Sequence, residues 1–142
     1  MPARPRLILF ASFTLGSALL AACVAAPDDA ARLSATSPLV QRSSHGLVDA
    51  TVALDSPEIA RGPNDFSITL RAAESPALPQ LISVEATMAA HGHHANAAGI
   101  VSDEGTFRVR DLDLFMSGRW QIALGVELED SSDLVEFALD VP

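Results

Sequence analysis

Three histidines and a methionine fall within the seven positions from Met88 to His94 (Met-Ala-Ala-His-Gly-His-His). The rest of the 142-residue chain holds one other histidine and two other methionines. Neutral imidazole ligates zinc, copper and nickel, and a thioether sulfur adds a preference for Cu(I). Met88, His91, His93 and His94 therefore offer two or three donors from one stretch. Met116, in Phe115-Met116-Ser117-Gly118-Arg119-Trp120, offers another if its turn lies at the same end of the fold. The same residues also read as a polar connection between strands, because a histidine-rich tract is only a compositional signal. A methionine at a strand end equally serves as core filler. His45, alone ahead of the first expected strand, reads as solvent-exposed, Arg119 as a surface cation with its stem on apolar neighbours, and Trp120 as a core anchor.

These residues must be positioned by strands. Phe66, Ile68 and Leu70 alternate with Ser67, Thr69 and Arg71, and Ile82, Val84, Ala86 and Met88 with Ser83, Glu85 and Thr87. Phe107 and Val109 alternate with Thr106, Arg108 and Arg110. Trp120, Ile122, Leu124, Val126 and Leu128 form one row of a long segment, and Val135, Phe137, Leu139 and Val141 another. Period-two alternation puts one row in a core and the other in water. Pro57, Gly62-Pro63-Asn64-Asp65, Pro76, Pro79, Asp103-Glu104-Gly105, Ser117-Gly118 and Asp130-Ser131-Ser132 separate the runs. With a first strand at about 46–54 and a short one near 98–102, the pattern predicts an immunoglobulin-like antiparallel β-sandwich of about seven strands over residues 46–142. His91 and His93 share one side of an extended backbone, His94 the other, on a connection leaving Met88.

Ahead of that domain, Arg4 and Arg6 precede an uncharged apolar run, Leu7–Ala22. Sixteen residues fall short of the ~20 that span a bilayer, but suit the core of a signal peptide. The run ends in Leu20-Ala21-Ala22-Cys23, which resembles a bacterial lipoprotein signal. That resemblance implies cleavage after residue 22, lipidation of Cys23 and anchoring in a cell-envelope membrane. Val24, in place of the Asp that favours inner-membrane retention, points to the outer membrane. Residues 23–45, rich in Ala, Ser, Pro and Asp, read as the lipidated cysteine and a flexible tether. Without residues 1–22 the chain keeps seven arginines and no lysine against 18 acids, a net charge of −11. So acidic a chain is not built to track nucleic-acid phosphates.

Catalysis finds little to work with. Cys23 is the one cysteine, so neither a disulfide, a free thiol nucleophile nor a cysteine-ligated blue-copper centre is available to the domain. There is no Gly-x-Ser-x-Gly elbow or phosphate-cradling glycine loop. Asp103, Glu104, Asp111 and Asp113 read as a solvated face. A non-enzymatic role is the expectation.

The segment from Phe66 to Val126 resembles the YtkA-like domain family, which is related to FixH-like domains. The likeness rests on three stretches: Met88-Ala89-Ala90-His91-Gly92-His93, Asp103-Glu104-Gly105-Thr106-Phe107-Arg108-Val109, and Leu114-Phe115-Met116-Ser117-Gly118-Arg119-Trp120. Ala89 and Ala90 stand where family members often carry Pro and a second Met, and Ser117 stands in place of Pro. The resemblance implies an immunoglobulin-like fold, copper as the metal in preference to zinc, and an envelope copper-handling or oxidase-assembly partner. The expectation is thus a lipoprotein that binds copper through Met88, His91, His93, His94 and Met116 and hands it over. The competing expectation is a non-metal module that docks on another envelope protein.

Overall fold

The computed structural model describes Leu33, residues 37–103 and residues 105–142. The apolar run, Cys23 and most of the expected tether lie outside the described residues, as does Glu104. These residues form nine strands: β1 (Leu39–Arg42), β2 (Val48–Leu54), β3 (Gly62–Ala72), β4 (Gln80–Met88), β5 (His93–Asn96), β6 (Gly99–Asp103), β7 (Thr106–Leu114), β8 (Gly118–Leu128) and β9 (Ser131–Val141). No helix occurs among the described residues. Two antiparallel sheets form, in the orders β1-β2-β3-β7-β6 and β5-β4-β8-β9, and the body is an all-β sandwich.

The alternating rows bring the sheets together. Val48, Ala50, Val52 and Leu54 of β2, Phe66, Ile68 and Leu70 of β3, and Trp120, Ile122, Leu124 and Val126 of β8 are buried in one core. Each of the Val, Leu, Ile and Phe side chains taken out of water contributes about 1.5–3 kcal/mol. Trp120, fully buried, is the core anchor its row implies.

Three details differ from the sequence reading. The described residues form nine strands rather than about seven. One of the extra strands, β1, lies inside the stretch read as tether: Leu39–Arg42 pairs with Asp49–Val52, and Leu33 is buried in the core. The sandwich therefore begins before residue 46. Second, the inward row of β4 is Leu81, Val84, Ala86 and Met88, whereas Ile82 is exposed. A bulge sets Ile82 and Ser83 against the single step from Val126 to Gly125 and reverses the alternation there. Third, the connection after Met88 is only a tight turn, and His93–Asn96 returns as edge strand β5.

A second bulge, on β7, sets Arg110 and Asp111 opposite Asp65, with Asp111 at a φ of 52°. The Asp65 carboxylate accepts the Asp111 N–H (2.9 Å) and the Arg110 guanidinium (2.7 Å), which hold its pKa below the ordinary range.

The pairing registers also sort the connections between two ends. The β4–β5 turn, the β7–β8 turn and the C-terminus gather at one end. The β1–β2, β3–β4 and β8–β9 connections gather at the other.

Candidate functional site

The histidine-rich turn is built on β4. The His91 amide donates to the Met88 carbonyl (3.1 Å), and Gly92, at a φ of 65°, completes the reversal into β5. In the resulting hairpin Met88 is the direct partner of His93, and Thr87 of His94. Directly opposed residues share a sheet face. His93 thus lies on the inner side with Met88, while His94 lies on the outer side, where its Nδ1 stands 3.3 Å from the Thr87 hydroxyl. His91, in the turn, stacks on His93 with ring centres 6.1 Å apart and planes 28° apart.

The β7–β8 turn comes to the same rim. The Phe115 ring meets His93 edge-to-face at 5.2 Å and Trp120 at 5.4 Å. The Trp120 indole N–H donates to the Met116 carbonyl (3.0 Å), and the Ser117 hydroxyl donates to the Pro142 carbonyl (2.9 Å), so the turn is pinned from both sides. A continuous row of rings, His91, His93, Phe115 and Trp120, runs from solvent into the core.

Of the five residues expected as ligands, the fold brings His91 and His93 together and puts Met88 beneath them. Met88 is 2% exposed. Met116 shares the rim through its backbone, with its side chain partly buried against the core. His94 is separated from the others by the strand itself. Phe115, 43% exposed, is the residue that sequence reasoning missed. Its position one step beyond buried Leu114 put it on the outward row, and the turn that carries its ring back over His93 leaves no trace in the periodicity.

Among the described residues, no group of three or more His, Cys, Asp or Glu side chains could hold a metal ion. This rim presents two imidazoles, with the Met88 side chain buried beneath them and that of Met116 packed against the core. Gly118 opens the space for Met88. Its φ is 123°, and a β-carbon there would stand 3.4 Å from Met88 Cε. Gly118→Ala is expected to cost about 1–3 kcal/mol, through backbone strain and crowding of Met88, and a thermal melt checks it.

No family model matches the chain, and neither a curated protein nor a solved structure does.

Proposed function

We propose that this chain is a cell-envelope lipoprotein whose sandwich carries Cu(I) at the histidine rim and hands it to a membrane partner by ligand exchange. One observation carries the reading: the rings of His91 and His93 stand with their centres 6.1 Å apart, at the end the Met116 turn also reaches. Two imidazoles that share an ion at ~2.0 Å per bond have ring centres roughly 5–6 Å apart, and a rotation of the two rings out of their stacked pose would aim both lone pairs at one ion. The sulfur of Met88, the cross-strand partner of His93, and that of Met116 are the soft donors that favour Cu(I) over zinc. Imidazole ligates only when neutral, so acid releases the cargo.

The likeness to YtkA-like domains supports the copper assignment and an oxidase-assembly or copper-handling partner. The order β2-β3-β7-β6 against β5-β4-β8-β9 supports an immunoglobulin-like reading of the sandwich, with A-B-E-D facing C-F-G and its added edge strand. The anchor rests on residues 7–23 alone, by their resemblance to a lipoprotein signal. A tether from Cys23 lets the rim reach a partner in the same membrane, with the outer membrane favoured by Val24.

Titration of the purified chain with Cu(I) against a chromophoric chelator tests the reading. The expected result is uptake of one equivalent with a change in the emission of Trp120, the only tryptophan in a chain without tyrosine. Failure to compete for Cu(I) contradicts it.

A second reading is favoured by the deep burial of Met88 and the exposure of Phe115 at the same rim. In that reading the rim is a non-metal docking surface next to edge strand β5. It is distinguished by partner binding that survives loss of both imidazoles.

A further inference from the structure

The outermost strand of a sheet offers a row of unpaired N–H and C=O groups unless something blunts it. Three of the four edges here are managed. The Ser44 N–H and hydroxyl both donate to the Leu134 carbonyl of β9 (2.8 and 3.1 Å), and the outward row of β9 carries Glu136 and Asp140. β1 and β5 are only four residues long. β6 is different: among the described residues it pairs with β7 alone, and Val101 at its centre is 56% exposed. The two-residue turn from Asp103 to Thr106 makes these two a hydrogen-bonded pair, and such pairs alternate along an antiparallel ladder. Gly99, Val101 and Asp103 therefore turn their backbone groups toward β7. Those of Ile100 and Ser102 point to the open edge.

We propose that β6 pairs antiparallel with β6 of a second copy of this chain, about a two-fold axis at Val101. The outward-pointing groups fit that register: Ile100 of each copy bonds Ser102 of the other, and the two five-stranded sheets become one. Val101 then meets Val101 as a close non-hydrogen-bonded pair, so the exposed apolar side chain covers itself. On the same face Asp103 of one copy falls opposite Gly99 of the other. Arg110 is the direct partner of Gly99 on β7, so the incoming carboxylate looks across a residue without a side chain toward a cation. No like charges oppose each other along the seam. The same operation on β9, about Ala138, would set Glu136 against Asp140, which disfavours that edge. Five residues a side make a small contact, at the weak and reversible end of protein interfaces. The two histidine rims then lie at opposite ends of the pair, and both stay open.

Sedimentation equilibrium of the purified, metal-free chain tests the pairing, independently of the copper reading. The runs use about 0.15 M salt, which screens the repulsion between two acidic chains beyond roughly 8 Å. The expected result is a monomer–dimer equilibrium, with slower amide exchange at Ile100 and Ser102 as concentration rises. Ser102→Pro removes an N–H that faces away from β7, a change that edge strands tolerate. Val101→Lys sets two cations against each other across the axis. Each is expected to weaken dimerisation at least about tenfold, while circular dichroism shows the fold unchanged. Val40→Lys, on the edge strand at the other side of the same sheet, is expected to leave it as it was. A chain that stays monomeric up to about 1 mM, or a dimer that both β6 variants leave intact, overturns the proposal.

Discussion

Asp133→Ala is expected to lower the stability of the sandwich by about 3 kcal/mol, since each buried donor left without its acceptor costs about 1–3 kcal/mol. Three backbone amides and the His45 ring converge on this nearly inaccessible carboxylate, which ties the β1–β2 turn to β9. In a domain of this size the loss corresponds to a fall in Tm of roughly 12–20 °C. The same carboxylate sets an acid limit. Burial pushes its pKa up, but hydrogen bonds from the Ser43 hydroxyl, the Leu134 and His45 amides and the His45 ring outweigh burial and hold it well below the usual range. A pKa below the unfolded value of about 3.9 means the contribution is complete above that pH and is lost as pH falls toward the folded-state value. Melts of the wild type and Asp133→Ala are therefore expected to differ by a constant margin above about pH 5 and to converge below about pH 4. A margin that does not shrink in acid contradicts this assignment.

The second large effect concerns the proposed copper site. His91→Ala combined with His93→Ala is expected to weaken Cu(I) binding at least about 100-fold, because every 1.4 kcal/mol of lost ligation is a factor of ten. The fold is expected to survive: His91 is exposed and His93 only half-buried, so the cost in stability is about 1 kcal/mol or less. His94→Ala, on the far side of β5, serves as the control and is expected to leave affinity unchanged. Chelator competition reads the affinities, and circular dichroism reads the fold. Equal uptake by the double variant and the wild type removes the assignment of these two imidazoles.

Much of the sandwich was legible in the chain because alternation over seven or more residues has one meaning, as in the rows ending at Val126 and Val141. Where two residues oppose one, that meaning reverses. Ile82 is as apolar as Leu81, and only the pairing with β8 decides which of them enters the core. β1 escaped notice because four residues, Leu39–Arg42, carry too short a pattern to stand out from the Ala- and Ser-rich stretch before them. At the rim, the split between His93 and His94 was legible from parity. The convergence of the two turns was not, since it depends on which connections share an end. Asp133 looked like any acid at a strand start. Its role comes from amides almost ninety residues away in sequence, and no local signal announces such a contact.

X-ray absorption at the copper edge of the Cu(I)-loaded chain tests the central claim most directly, that imidazole and thioether from two turns meet on one ion. The expected spectrum contains two imidazole shells and at least one sulfur shell. The imidazole shells are expected to be lost in His91→Ala with His93→Ala, and a sulfur shell in Met88→Leu or Met116→Leu. A spectrum without sulfur, or one unchanged by removal of both histidines, contradicts the claim.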